Sequence, residues 1–221
     1  LSGDGHLALT ATAPDQGDGC VTVWDATAGE QRITINGHKG GVRCLALSAD
    51  GIHVLTGGVD GTARLCAMAT GECDLVFTGH NGAVNATMYS DDGRLVFTGG
   101  QDGIVRAWDR TTGEKRGKFV GHKREIKALC YGAHGQSFLS SGGDNTLIHW
   151  DLKSGAQLGA IHSFQSPLLA ISVSNDRRYL LAGSKDGFLE YIDLTSGKRL
   201  GRRRGHSEPV AAVCISKRGQ F

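Results

Sequence analysis

Short apolar runs alternate with polar turns along the whole chain. Residues 37–78 show the pattern clearly, because four runs of aliphatic and β-branched residues are separated by Gly-containing turns such as Asp60-Gly61 and Thr78-Gly79. Short runs bounded in this way favour strands over helices. The pattern therefore predicts four strands in this stretch, which we name a, b, c and d in chain order. They lie at 42–47, His53–Thr56, Thr62–Ala67 and Asp74–Phe77.

The same arrangement recurs with a fixed period. Trp-Asp marks the end of strand c three times, two other dipeptides take its place in register, and the spacing between successive dipeptides is constant. Gly-His precedes strand a four times, with an unaccompanied His162 where one more is expected. A period of about 40–45 residues is typical of a four-stranded propeller blade. The first series is Trp24-Asp25, Cys66-Ala67, Trp108-Asp109, Trp150-Asp151 and Ile192-Asp193, and the second is Gly37-His38, Gly79-His80, Gly121-His122 and Gly205-His206.

On these motifs the chain resembles the WD-repeat family, and the resemblance covers essentially all 221 residues. The resemblance implies an all-β fold, namely a WD-repeat β-propeller of which about five blades are present. It also implies that the chain is part of a seven-bladed or tandem propeller. A single domain is expected over residues 1–221. The blades are expected at 1–36 (partial), 37–78, 79–120, 121–161, 162–204 and 205–221 (partial).

Both ends of the chain fall inside a repeat. The first residues supply strands b, c and d of one blade, and the last residues supply a strand a. Two interpretations stay open. The chain is a piece of a longer protein, or its ends join to close a ring of five blades, a device that leaves no bare sheet edge.

Composition narrows the classes of function. The net charge of +2 is too small to imply nucleic-acid binding by itself, and no apolar run is long enough to predict a membrane span. The six cysteines form no Cys-x-x-Cys pair and no cluster with zinc spacing. We therefore expect reduced core thiols, no metal and no cofactor. A cytoplasmic location follows, with a cytoskeletal or ciliary assembly as the wider interpretation.

A His, a Ser or Thr, an Asp and a Trp recur at fixed offsets in the repeats. Asp, His and Ser together suggest a nucleophilic triad, but a catalytic site is needed once, so the repetition indicates structure and no catalytic residue is predicted. The resemblance implies a buried hydrogen-bond chain from the Asp through the His and the hydroxyl to the indole N–H, which rigidifies a blade. These polar sets are His80, Thr98, Asp102 and Trp108; His122, Ser140, Asp144 and Trp150; and His38, Thr56 and Asp60, with Cys66 at the indole position.

The repeat at 162–204 departs furthest from this pattern. It keeps only His162 and Asp186, because Ala182 and Ile192 replace the hydroxyl and the indole. We expect this repeat, and the one containing Cys66, to be held more by apolar packing.

The resemblance also implies that partners dock on the face formed by the d–a and b–c loops. The loop residues are moderately basic, so an acidic peptide segment is the expected ligand. The candidate partner-binding residues are Lys39, Arg43, Asn81, Asn85, Gln101, Lys123, Arg124, Lys127 and Lys185. A second basic cluster lies at 198–204, where charge either protects an exposed strand edge or contacts an acidic partner or phosphate.

The leading functional hypothesis is a non-catalytic scaffold that presents propeller loops to other proteins within a larger assembly. The alternative is binding of nucleic acid or an acidic surface through the basic loops, which would weaken steeply with salt. Nucleic acid is disfavoured because aromatic residues are sparse near the arginines. A propeller enzyme is the least favoured hypothesis.

Overall fold

All described elements are strands, which confirms the all-β prediction. The computed structural model describes residues 5–12, 17–131 and 136–215, with the backbone alone described at 160–163. It contains no helix in these ranges, and hence none long and apolar enough to cross a membrane. The strands of the first two sheets are β1 (Leu7–Ala11), β2 (Asp18–Asp25), β3 (Glu30–Lys39), β4 (Val42–Leu47), β5 (His53–Gly58), β6 (Ala63–Ala67) and β7 (Cys73–Phe77). The third sheet contains β8 (Val84–Tyr89), β9 (Leu95–Gly100), β10 (Ile104–Asp109) and β11 (Lys115–Val120). The fourth and fifth contain β12 (Ile126–Tyr131), β13 (Ser137–Gly142), β14 (Thr146–Asp151), β15 (Gln157–Ser163), β16 (Leu168–Val173), β17 (Tyr179–Ser184), β18 (Phe188–Asp193) and β19 (Lys198–Arg204).

Each sheet is a meander of consecutive strands. The first sheet has three strands, in the order β1-β2-β3, and the other four have four strands each, in chain order. The strand pairs are antiparallel. The pairing of strands a and b shifts register at the same place in four sheets, between Val42 and Cys44 in the second and at the corresponding positions of the others. This repeated topology is that of propeller blades.

The chain divides into two compact units, Leu1–Gly117 and Lys118–Phe221, with the boundary inside β11. In the first unit, Val21 and Ile35 of the first sheet pack with Val54 of the second. The opposite face of the second sheet packs through Leu65 against Trp108 of the third. Successive sheets of this unit therefore bury apolar faces against each other.

The second unit has its own core. Leu139 and Leu147 of the fourth sheet pack with Leu180 and Ile192 of the fifth. On the fourth sheet, the Phe138 and Trp150 rings stack with their centroids 6.1 Å apart. Apolar packing between sheets again supplies the stabilisation, at roughly 25 cal/mol for each Å² of apolar surface buried.

The carboxylates of the turns act locally. In the turn between strands a and b, the Ser48 hydroxyl donates to Asp50, which also accepts from the Ile52 amide at 2.9 Å. The Asp of Trp-Asp has a similar role in the turn between strands c and d, where Asp109 accepts from the amides of Thr111 and Thr112 at 2.9 and 3.0 Å. These turn carboxylates fix local backbone and are not a paired catalytic arrangement.

Candidate interaction surface

The third and fourth sheets each contain a buried chain of side-chain hydrogen bonds. In the fourth sheet, the Trp150 indole N–H donates to the Ser140 hydroxyl at 2.7 Å, and Ser140 lies 2.8 Å from Nε2 of His122. Nδ1 of His122 in turn lies 3.0 Å from Asp144. The third sheet has the same chain at closely similar distances, through Trp108, Thr98, His80 and Asp102 (2.9, 2.7 and 3.0 Å). In the fourth sheet, one direction of donation satisfies every member, with the hydroxyl donating to Nε2 and Nδ1–H donating to the carboxylate.

The Asp at the end of each hydrogen-bond chain also binds the backbone of the loop before strand a. Asp144 accepts from the Lys123 amide at 2.7 Å, and Asp102 accepts from the Asn81 amide at 3.2 Å. In the second sheet, Asp60 accepts from the Lys39 amide at 3.1 Å. Lys39, Asn81 and Lys123 are all candidate binding residues. The buried chains therefore fix the backbone from which these candidates project.

In the third, fourth and fifth sheets, a backbone hydrogen bond joins the b–c loop to the d–a loop. The Gln101 amide donates to the Ala83 carbonyl at 2.8 Å, and the Lys185 amide donates to the Pro167 carbonyl at 2.9 Å. At the corresponding place in the fourth sheet, the Gly143 amide donates to the Glu125 carbonyl, also at 2.8 Å. Within each of these three sheets, the b–c and d–a loops thus form one continuous surface.

A glycine makes room for each buried imidazole. Cβ atoms built at Gly58, Gly100 and Gly142 would overlap the rings of the histidines that precede strand a. A substitution there would displace the ring from its Asp. These glycines belong to the polar sets as firmly as the four side chains, and the sequence pattern alone did not single them out.

Further partners of the carboxylates also escaped the sequence pattern. Thr146 donates its hydroxyl to Asp144 at 2.6 Å, and Thr62 donates to Asp60 at 2.8 Å. The third sheet has Ile104 at this position, and Arg106 donates to Asp102 instead, at 2.8 Å. A repeated hydroxyl two residues after the Asp is the signal that could have identified the first two.

The electrostatics match this geometry. Burial lowers the pKa of His38 and of His80, although Asp60 and Asp102 oppose the shift. Burial would raise the pKa of Asp60, but hydrogen bonds from Thr62 and His38 outweigh it, so the pKa lies below its usual range. The neutral imidazole and the ionised carboxylate are therefore both favoured in the folded state.

The second sheet corrects the prediction of reduced thiols. Cys66, at the indole position, is bonded in a disulfide to Cys73, directly opposite it on the neighbouring strand. His38 still contacts Thr56 at 2.8 Å and Asp60 at 3.1 Å. The prediction was wrong for this pair because the sequence does not show that strands c and d place them side by side. The other four, Cys20, Cys44, Cys130 and Cys214, are free thiols.

The fifth sheet corrects the assignment of His162. Phe164, which is in register with His122 of the preceding repeat, takes the histidine position and is buried with Ala182 and Ile192. The side chain of His162 lies outside the described residues. The expectation of apolar packing agrees with this cluster. Asp186 is held differently from the other carboxylates, because the Ser184 hydroxyl donates to it at 2.5 Å and Arg202 pairs with it at 2.9 Å.

Most of the candidate binding residues lie exposed on the loop surface. Asn85 and Lys127 are half-buried, and Lys127 forms an ion pair with Glu125 at 3.0 Å. Gln101 uses its side-chain oxygen to accept from the Ala83 amide at 3.2 Å. Within the described ranges, none of the other cationic candidates forms an ion pair. Those are Lys39, Arg43, Lys123, Arg124 and Lys185.

The family comparison agrees with the blade topology. The model of the WD domain, G-beta repeat, matches residues 29–66, 71–109 and 113–151, which is more than half of the chain. The chain therefore belongs to the WD-repeat family, whose members generally act as protein-binding scaffolds. A search of curated proteins gave no match. Over the described part of the chain, no group of three or more His, Cys, Asp or Glu side chains is placed to hold a metal ion.

Proposed function

We propose that this chain is a non-catalytic protein–protein interaction scaffold that presents its d–a and b–c loops to partners within a larger assembly. The observation that supports the proposal most directly is the use of the buried polar sets. Their Asp carboxylates bind the amides of Lys39, Asn81 and Lys123, so the triad-like residues serve to hold loops in place. A pre-ordered loop surface loses little conformational entropy on binding.

The preferred ligand in this proposal is an acidic peptide segment. In the second unit, Lys123, Arg124 and Lys185 are exposed and take part in no ion pair within the described residues. Their charge is therefore available to a partner, and complementary charge raises association rates and selects among partners.

The experiment compares charge reversals on one unit. Lys123→Glu/Arg124→Glu alters the loop surface, and Lys118→Glu/Lys153→Glu makes the same change at exposed lysines elsewhere in the unit. The probe is a set of fluorescently labelled acidic peptides, and binding is measured by fluorescence polarisation at a fixed salt concentration. We expect the first variant to lose binding about tenfold or more and the control to keep it. Equal binding by both variants would contradict the proposal.

The proposal includes a cytoplasmic location, in a cytoskeletal or ciliary assembly. The four free cysteines support a reducing compartment, whereas the Cys66–Cys73 disulfide opposes it. Thiol counting on protein prepared under denaturing, alkylating conditions tests this point. Six alkylated cysteines in protein from its native cells would support the cytoplasmic location, and four would contradict it.

A further inference from the structure

The outer strand of the fifth sheet has an unusual distribution of charge. β19 is the last strand in the sheet order β16-β17-β18-β19, so its far edge has no neighbouring strand in the described part of the chain. Such an edge presents unpaired backbone N–H and C=O groups. Five of its seven residues are Lys or Arg, a higher density than on the outer strands of the other described sheets.

The structure divides these five cations into two groups. Arg199 pairs with buried Glu190 at 3.1 Å, and Arg202 pairs with Glu190 and with Asp186, both at 2.9 Å. Arg202 also lies over the Phe188 ring, 3.7 Å from its centroid. These two arginines therefore serve the sheet itself.

The remaining three cations serve no such internal purpose. Lys198, Arg203 and Arg204 are exposed, and within the described residues they belong to none of the ion pairs. They lie at the two ends of β19, on either side of Leu200 and Gly201. Their positive charge thus faces solvent along a strand edge.

An apolar contact lies between the charged ends. The Leu200 side chain is 51% exposed, and a Cβ at Gly201 would meet nothing within 4 Å. Leu200, Gly201 and Arg203 border a groove of about 360 Å³. Leu181 and Leu189 form the inner wall of this groove. The corresponding residues of the second sheet, Leu55 and Ala63, pack against the third sheet. Only the outer rim of the groove is therefore assigned to a ligand.

We propose that β19 is the docking edge for an acidic peptide that adds to the fifth sheet as a further strand. The backbone of the peptide pairs with the free edge, as in other cases of strand addition. Its acidic side chains lie beside Lys198, Arg203 and Arg204, and an apolar side chain contacts Leu200. A second copy of β19 is disfavoured because like charges would face each other across the new pair.

Three probes test the proposal with the whole chain. The first is a labelled eight-residue peptide that repeats Glu-Glu-Val-Val, so that each face of the added strand carries both carboxylates and valines. The second keeps its charge but carries proline at alternate valines, which removes backbone donors. The third is a single-stranded oligonucleotide of similar charge. We expect the first to bind, measured by fluorescence polarisation, and the second to bind at least about tenfold more weakly because strand pairing needs its N–H groups.

The matched variants are Arg203→Glu/Arg204→Glu on β19 and Lys115→Glu/Lys118→Glu on β11, another outer strand with exposed lysines. Only the first should weaken the peptide, by about tenfold or more, because it replaces attraction with repulsion. Equal binding of the proline peptide would show that no strand is added and would overturn the proposal. Tighter, β19-dependent binding of the oligonucleotide would also overturn it, in favour of a phosphate site.

Hydrogen exchange on the unaltered chain covers the case in which a β19 variant fails to fold. The peptide should slow exchange of amides in 198–204 and leave those of β11 unchanged. Unchanged exchange in 198–204 at saturating peptide would overturn the proposal. The docking edge is separate from the loop surface, so this peptide should protect the amides of 198–204 equally in Lys123→Glu/Arg124→Glu and in the unaltered chain, and either proposal can fail without the other.

Discussion

The fourth and fifth sheets fill the same positions with opposite chemistry. In the fourth sheet, His122, Ser140 and Trp150 are buried and joined by hydrogen bonds of 2.7–2.8 Å. In the fifth, the corresponding Phe164, Ala182 and Ile192 pack in one apolar cluster. Both solutions avoid the same penalty, because a buried polar group is costly only when its partner is missing. The three positions of a repeat must therefore be either all hydrogen-bonded or all apolar, and the identity of each residue matters less than this match.

The carboxylate after strand b shows how far the replacement extends. Asp144 binds the imidazole of His122, whereas Asp186 has lost its imidazole and binds Ser184 and Arg202. Ser184 stands where the fourth sheet has Gly142, which is a glycine because the imidazole leaves no room for a side chain. The loss of the ring and the gain of the serine are thus two parts of one change.

The largest expected effect comes from removing the ring in the apolar version. Phe164→Ala should lower the free energy of unfolding by about 3–5 kcal/mol, since it leaves a cavity among buried aliphatic side chains. His122→Ala should cost less, about 1–3 kcal/mol, because its main effect is to remove one hydrogen-bond partner from Ser140 and one from Asp144. Urea unfolding of both variants measures the difference. A larger loss for His122→Ala would contradict the view that the fifth sheet depends on apolar packing.

Exchanging Ser140 of the fourth sheet and the corresponding Ala182 of the fifth should destabilise both sheets, by less than Phe164→Ala does. Ser140→Ala removes the hydroxyl that accepts from the Trp150 N–H and contacts Nε2 of His122, at a cost of about 1–3 kcal/mol. Ala182→Ser places a hydroxyl in an apolar cluster, at a similar cost of about 1–3 kcal/mol. The same unfolding measurement applies. A neutral Ala182→Ser would mean that the fifth sheet tolerates a polar group and that the contrast between the sheets is weaker than the structure indicates.

Acid should weaken the second and third sheets, where burial lowers the pKa of His38 and of His80. Burial lowers the pKa of His80 below 6.5, so the unfolded chain takes up a proton at a pH where the folded chain does not. The stability from this group is complete above 6.5 and is lost as the pH falls below that value. Hydrogen exchange of the third sheet, measured between neutral and mildly acidic pH, should accelerate. No acceleration would show that protonation of the imidazole is not coupled to folding.

Glu190 should give the fifth sheet a small dependence on pH in the opposite direction. Burial raises the pKa of Glu190 above 4.5, although Arg199 and Arg202 oppose the shift. A raised pKa means that the stabilising protonated form is lost as the pH rises through the folded value. The parent chain should therefore lose stability relative to Glu190→Gln as the pH rises from acidic to neutral, which comparison of their unfolding midpoints measures. A constant difference would rule out this coupling.

The sequence was a reliable guide wherever the repeat itself carried the information. Strands a to d, the blade topology and the members of the polar sets recur at a constant spacing, and the structure places His80 and Thr98 2.7 Å apart. Periodic spacing works here because each strand, turn and buried position is specified by residues close to it in sequence.

Two of the departures from the repeat were decided only by tertiary structure. The pairing of Cys66 with Cys73 and the division of the β19 arginines between Glu190 and solvent each depend on which side chains face each other across strands. The constant spacing already places Phe164 at the histidine position, and the structure adds that its ring is buried with Ala182 and Ile192. Long side chains reach partners that local spacing does not specify, and a single register shift changes which partner is near. The sequence by itself determined the family and the repeated framework, and the packed sheets determined how each exception to the repeat is compensated.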